Sequence, residues 1–262
     1  FLACEKKYVA FGGARGGGKS WAVRCKAKLL ALRYAGIRIL LVRRSLAELE
    51  ANHLAFLRQE LADVAEYRAG ERQFRFCNGS VLQFGYCGCD RDLDRYQGAE
   101  YDVIFLDEAT QLKEQWMRQI AACVRGVNDF PKRIYYTCNP GGPGHGYIKR
   151  LFIDRRFENG EQPEDYAFIP ARVTDNAALL ARQPDYLKTL EALPYKLRRA
   201  WLEGRWDVFA GQVFQEFTDD PDHYDDRRWT HVIRPFDVPR EWNIYRSYDF
   251  GYARPFSCGW WA

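Results

Sequence analysis

The segment Gly13-Ala14-Arg15-Gly16-Gly17-Gly18-Lys19-Ser20 fits the pattern G-x-x-x-x-G-K-[ST], follows the apolar run Tyr8-Val9-Ala10-Phe11, and opens a helix-like stretch from Trp21 to Ala35. Glycines reach positive φ, so successive backbone N–H groups of such a loop converge on the β- and γ-phosphates of a nucleotide at a positively polarised helix N-terminus. Lys19 adds a point charge on those phosphates, and Ser20 offers its hydroxyl to Mg²⁺. The eight residues Gly13 to Ser20 are therefore read as a nucleotide-binding loop. The alternative, a Gly-rich turn that only caps a helix, is disfavoured by the strand–loop–helix context.

A second chemical element is the apolar strand Val103-Ile104-Phe105-Leu106, which ends in Asp107-Glu108. Beside a phosphate loop, Asp107 is expected to hold the metal through its water shell and Glu108 to polarise the water that attacks the γ-phosphate. Standing alone, the same two acids would read equally as a strand end capping the helix that begins near Thr110. A third apolar run ends at Tyr135-Tyr136-Thr137-Cys138-Asn139-Pro140-Gly141-Gly142. Thr137 and Asn139 are placed where a polar side chain senses the γ-phosphate, although Asn-Pro and Gly-Gly by themselves make a plain turn the better reading.

Elements that would position these groups follow from hydrophobic period. Up to about Phe152 the chain alternates short β-rich runs with helix-period segments, the pattern of an α/β domain with a mostly parallel sheet covered by helices. Strands are expected at Tyr8–Gly12, Ile37–Arg43, Val103–Leu106 and Arg133–Thr137, and helices at Lys19–Ala35, Leu46–Val64, Lys113–Cys123 and Gly146–Phe152. Residues 75–84 read as an inserted hairpin, since Asn78-Gly79 favours a type I′ turn. A loop at 159–165 leads to a strand at Tyr166–Val173, and a mainly helical segment to Trp206 reads as a small lid. Asp219-Asp220-Pro221-Asp222 and the charged stretch to Arg228 read as linker, and Asn243–Phe250 begins a fresh strand. The expected divisions are 1–174 for the core, 175–210 for the lid, 211–242 for the linker and 243–262 for the start of a further domain.

Composition narrows the class. The chain has 262 residues, 47% of them apolar, a formal net charge of +4 and 8 cysteines. That suffices for a buried core without a run long enough to span a membrane, and the mild basicity does not by itself announce a polyanion partner. Basic doublets such as Arg43-Arg44, Lys149-Arg150 and Arg198-Arg199 each read as solvated faces. The scattered cysteines suggest a reducing compartment, and Cys77, Cys87 and Cys89 lack a fourth ligand at zinc spacing, so no zinc is expected. The start at Phe1 without Met, and no signal-peptide pattern, suggest a true N-terminus upstream.

The order of these motifs resembles the large terminase subunit of tailed bacteriophages, an ATP-driven DNA-packaging motor that also cuts DNA. The resemblance rests on the phosphate loop, on Phe105-Leu106-Asp107-Glu108-Ala109, and on Thr137-Cys138-Asn139-Pro140-Gly141-Gly142 with His145. Further support comes from Asp175-Asn176 leading to Trp201-Leu202-Glu203-Gly204-Arg205-Trp206, from Gly211-Gln212-Val213-Phe214-Gln215-Glu216-Phe217, and from Ser247-Tyr248-Asp249-Phe250-Gly251. It implies an ASCE-type P-loop ATPase with a small helical lid, followed by the first strands of an RNase H-like nuclease whose first acidic metal ligand matches Asp249. It implies catalytic roles for Glu108 and Lys19, coupling roles for Thr137 and Asn139, and a γ-phosphate contact for Arg15. Arg95 is the candidate for an arginine reaching a neighbouring subunit's phosphate, although Gln97 stands where many relatives have an arginine before the glycine matching Gly98.

The implied cofactors are ATP and Mg²⁺, with Mg²⁺ or Mn²⁺ for a complete nuclease, which needs carboxylates beyond Asp249. Implied partners are double-stranded DNA, the capsid portal, the small terminase subunit and further copies in a ring, in the bacterial cytoplasm and not at a membrane. A helicase or related translocase shares the loop and the Asp-Glu strand, but predicts a second ATPase core where Asp249 instead follows without a new phosphate loop. A nucleotide-dependent scaffold or switch is disfavoured by a base in place beside Asp107.

Overall fold

The computed structural model describes residues 1–158, 160–208, 221–226, 230–249 and 257–262. They fall into two compact units, Phe1–Gly211 and Gln212–Ala262. In the first unit the strands β1 (Tyr8–Gly13), β2 (Arg38–Arg43), β3 (Ala65–Arg68), β4 (Gln73–Phe76), β5 (Val81–Tyr86), β6 (Val103–Leu106), β7 (Arg133–Cys138) and β8 (Tyr166–Ala171) form one sheet in the order β3-β4-β5-β2-β6-β7-β1-β8. The six strands from β5 to β8 run parallel, and β4 and β3 extend the sheet antiparallel to their neighbours. This is the α/β architecture expected of a phosphate-loop domain, in which crossovers bring the carboxyl ends of β1, β6, β7 and β2 to one edge.

Alternation along the strands separates two cores. Val9, Ile39, Leu41, Val103, Phe105 and Tyr135 face one way, with Val23, Ala27, Leu30 and Ala31 of helix α1 (Lys19–Arg33) packed on them. Ala10, Leu40, Val42, Ile104, Leu106, Ile134 and Tyr136 face the other way, against Trp116, Met117 and Ile120 of the later helix Glu114–Ala121 and against Ile148, Leu151 and Phe152. Strands buried on both faces read as continuous apolar runs, which is why they are legible in sequence.

The long helix expected at Leu46–Val64 is a composite of α2 (Leu46–Leu49), a π-helical turn at Glu50–Leu54 and α3 (Ala55–Glu60). His53 and Leu54 are both buried in this turn, His53 in line with Leu49 and Leu57 at four-residue spacing. Its expected last turn is instead the approach to β3, which pairs with β4 across the short connection at 69–72. The hairpin between β4 and β5 is not closed by a type I′ turn. Gly79 has φ 83° while Asn78 stays at negative φ, and the Gly79 amide bonds the Phe76 carbonyl at 3.0 Å, so Cys77–Gly79 form a three-residue loop. The Asn78 side chain instead donates to the Ala31 carbonyl at 2.8 Å, tying the turn to the end of α1.

After α4 (Glu114–Ala121) and α5 (His145–Ile148), the chain returns through β8 to α6 (Ala177–Arg182), α7 (Tyr186–Glu191) and α8 (Tyr195–Trp201), the helical segment expected as a lid. In the second unit β9 (Tyr245–Asp249) and β10 (Ser257–Trp261) pair antiparallel, with Asp249 opposite Ser257. The phrase from Gly211 to Phe217, much of the expected linker, and Phe250-Gly251 lie outside the described residues. Among the described residues no helix is long and apolar enough to cross a membrane.

The packing at the sheet edge is testable through thiols. Burial pushes the Cys138 thiol up to about 12, against the opposing pull of Lys19. Burial, with Asp92 next, pushes Cys87 to about 12 as well. Because the thiolate is the reactive form, iodoacetamide at pH 8 is expected to modify the exposed Cys77 and Cys89 and to leave Cys87 and Cys138 intact until the protein is unfolded. Peptide mass spectrometry showing Cys138 labelled at the rate of Cys77 in native protein would contradict this packing.

Candidate active site

Between β1 and α1 the chain must turn sharply, and Gly13, Gly16 and Gly18 do so at φ 122°, 78° and 74°. The loop borders a cup of about 900 Å³ whose walls include Arg15, Lys19, Ser20, Arg43, Glu108 and Asn139. Lys19 is buried, and its ammonium donates to the Ala14 carbonyl at 2.6 Å and to Asn139 Oδ1 at 2.8 Å. Asn139 Nδ2 in turn donates to Glu108 Oε2 at 2.9 Å and to Oε1 at 3.1 Å. The amide can only be oriented this way, because lysine donates and a carboxylate accepts. Lysine, amide and acid thus form one chain across three strand ends.

Glu108 leaves β6 in the left-handed region at φ 53°, an unusual conformation for a residue with a side chain. Its amide is held there by donation to Thr137 Oγ1 at 2.9 Å, and the Thr137 hydroxyl donates to Asp107 Oδ1 at 2.5 Å. One threonine therefore fixes both acids. Burial raises the Glu108 carboxyl above the ordinary range, with the Asp107 charge adding to it and Lys19, Arg43 and Asn139 opposing. Burial also lowers the Lys19 ammonium, against Glu108 and Asp107. A raised carboxylate next to a cup that fits a triphosphate is what a general base requires.

Asp107 departs from expectation. It is buried and does not face the cup: Oδ2 lies 2.8 Å from His53 Nε2 and 3.0 Å from Arg43 Nε, and Oδ1 takes the Thr137 proton. Burial works to raise this carboxyl, yet His53 and Arg43 outweigh it and hold it well below the usual range. Among the described residues no group of three or more His, Cys, Asp and Glu is placed to hold a metal. The cup thus fits a triphosphate, and Ser20 borders it. In this arrangement the Asp107 oxygens are engaged with His53, Arg43 and Thr137 and sealed from water.

The lid segment grips the phosphate loop from the other side. The Arg15 amide donates to the Trp201 carbonyl at 2.7 Å, and the Arg15 guanidinium lies 3.3 Å from the centre of the Trp201 ring. Asn176 caps α6 with its Oδ1 and donates Nδ2 to the Gly16 carbonyl at 2.8 Å. Gly204, at φ 70°, packs so closely that a Cβ there would stand 3.0 Å from the Ala14 nitrogen and from Gly13. Arg15 in this arrangement is stacked on the lid.

Arg95 is not part of its own chain's cup; it pairs with Asp92 at 3.1 Å and lies 4.1 Å from the centre of the Tyr86 ring. Asp249 ends β9 in the second unit. Sequence reasoning missed Arg43, read only as half of a basic doublet, and His53, a lone histidine in the π-helical turn. Arg43 had one signal: it ends the apolar strand β2, so it reaches the edge where the other strands end in chemistry.

Comparisons with known proteins agree with this fold. Residues 10–218 match the family model described as terminase large subunit, T4likevirus-type, N-terminal. No curated protein matches the chain. Two structures of the large terminase from a thermophilic bacteriophage align with 98% of this chain. The one in complex with ADP is 18% identical over 60% of its own length, with a TM-score of 0.62. The one in complex with ATP-gamma-S is 17% identical over 59%, with a TM-score of 0.61. The ATPase domain of the Thermus phage P74-26 large terminase aligns with 78% of this chain and 90% of its own, at 15% identity and a TM-score of 0.53. The chain therefore spans about 60% of the length of the thermophilic phage's whole terminase.

Thr137→Val keeps shape and removes the hydroxyl that serves both acids. Leaving a buried N–H and a carboxylate oxygen without their partner is expected to destabilise the fold by about 1–3 kcal/mol. Denaturant unfolding of the two proteins measures this, and equal midpoints would show that the threonine does not hold the pair.

Proposed function

Because the chain belongs to the terminase large-subunit family, we propose that it is the ATP-hydrolysing part of a motor that moves double-stranded viral DNA into a procapsid. The observation that carries this reading is the chain Lys19–Asn139–Glu108. It joins the residue that meets the phosphates to the one that activates water, through a side chain on a third strand.

ATP enters with its β- and γ-phosphates on the loop amides and Lys19. Phosphate oxygens compete with Asn139 for the ammonium. Asn139 and Glu108 then adjust together, and Glu108 takes a proton from the attacking water. Loss of the terminal phosphate restores the Lys19–Asn139 bond, and Thr137 and Asn139 transmit the change along β7. On the other side, Arg15, Asn176 and Trp201 connect the loop to the lid, so that a small shift of the loop becomes a rotation of helices. Of the expected metal pair, Ser20 is the residue bordering the cup. DNA would be held through phosphates, without base readout, since packaging tolerates any sequence.

Further parts of the proposal come from the family. Arg95 serves a neighbour's cup in a ring of copies, the portal and small subunit are partners, and the protein works in the cytoplasm of the bacterial host. Asp249 is the first metal-binding acid of an RNase H-like nuclease. The division into core (1–174), lid (175–210), linker (211–242) and nuclease start (243–262) belongs to the same reading.

Glu108→Gln is expected to retain ATP binding and to lose hydrolysis by about 10²–10⁴-fold, the usual contribution of a general base. Phosphate release and equilibrium binding measured with and without double-stranded DNA check this. Hydrolysis equal to wild type in the Gln variant would remove Glu108 from the chemistry.

A further inference from the structure

Arg43 is a buried cup residue whose hydrogen-bonding capacity is little spent. Its side chain is 8% exposed, it ends β2, and it borders the cup beside Glu108. Nη1 donates to the Glu48 carbonyl at 3.2 Å. Nε lies 3.0 Å from Asp107 Oδ2 but is not aligned for a hydrogen bond, and remains a buried N–H without a hydrogen-bond partner. Nη2 stands 3.9 Å from Glu108 Oε1, beyond hydrogen-bond reach. A guanidinium has five N–H donors in a planar fork that matches phosphate oxygens; here the Nε edge lies against Asp107, while Nη2, beside Glu108, makes no hydrogen bond and can take an anion in the cup.

The position identifies which anion. Glu108 has to lie beside the water that attacks the terminal phosphate, so a group 3.9 Å from it sits at the terminal-phosphate end of the cup. A diphosphate leaves that end empty. The other arginines bordering the cup are differently placed. Arg44 is exposed, Arg15 is stacked on Trp201, and Arg24, whose Nε also lacks a hydrogen-bond partner, donates to the Asn52 carbonyl, pairs with Glu60 and lies over the Phe56 ring, away from Glu108.

Resting on the nucleotide reading above, we propose that Arg43 is a phosphate-binding residue of this cup, held by the buried Asp107 carboxylate with its idle donors at the terminal-phosphate position, so that the chain distinguishes a nucleoside triphosphate from a diphosphate through its own β2 arginine. Asp107, on this account, is a positioning residue for Arg43, and its Oδ2 faces Arg43 and His53 accordingly. His53 closes the far side of that carboxylate.

The test is calorimetric titration of the full chain with ADP and with ATP-gamma-S, for wild type, Arg43→Gln and Arg43→Lys. Arg43→Gln is expected to bind ADP within about two-fold of wild type and ATP-gamma-S about ten-fold or more weakly, the usual weight of a charge-assisted hydrogen bond. Arg43→Lys, which keeps the charge and loses the fork, is expected to fall between. An ATP-gamma-S to ADP affinity ratio unchanged in variants that melt like wild type overturns the proposal. So does an equal loss of both ligands in such variants. If Arg43→Gln does not fold, Arg43→Lys decides by the same ratio. Lys19→Ala separates the two levels of the argument: its loss of both ligands alongside an unchanged ratio in the Arg43 variants removes Arg43 alone, whereas a wild type that binds neither nucleotide removes the nucleotide reading with it.

Discussion

A carboxylate taken wholly out of water is among the least favourable things a fold can contain, and Asp107 is one. It persists because a guanidinium, an imidazole and a hydroxyl converge on its two oxygens. Those three groups come from β2, from the π-helical turn and from β7, so the charge at the end of β6 sets the mutual position of everything at the working edge of the sheet. Removing any one partner leaves part of the charge unanswered, which costs more than the pair itself contributes.

Glu108, next along the chain, has the opposite environment. Its backbone is held in a strained conformation by the Thr137 hydroxyl, and its side chain is left partly open to the cup with only an amide on it. Two adjacent carboxyls are pushed in opposite directions, one far below and one above the ordinary range, by what surrounds them. Such separation is how neighbouring acids come to have different jobs. The locked one sets geometry and the raised one is free to take a proton.

Much of this is legible in the residues. The loop glycines, Lys19 and Glu108 can be found because phosphate chemistry demands particular types at fixed spacing after apolar strands, whereas Thr137 and Asn139 read locally as a plain turn and stand out through the family resemblance. The parallel strands are legible because both their faces are buried. What cannot be read depends on contacts between distant segments. His53, in the π-helical turn, meets Asp107 from 54 residues away, and Asn78 spends its amide on α1 in place of setting a type I′ turn. Position alone assigns Asp107 a metal, while its real neighbours, Arg43 and His53, lie 64 and 54 residues away and carry no local pattern. Arg15 is readable as a loop residue, but its stacking on Trp201 is again a matter of tertiary packing.

The site is stitched from pieces far apart in the chain: Lys19 meets Asn139 across 120 positions, and Asn176 reaches Gly16 across 160. A ribosome that has made only the loop and its first helix has made no catalyst, because neither the amide that joins lysine to acid nor the segment that steadies the loop yet exists. Synthesis proceeds at roughly 5–20 residues per second, so the nascent polypeptide passes on the order of ten seconds or more with a phosphate loop but no means of burning fuel. The arrangement is complete only when the segment carrying Asn176 and Trp201 has joined the loop.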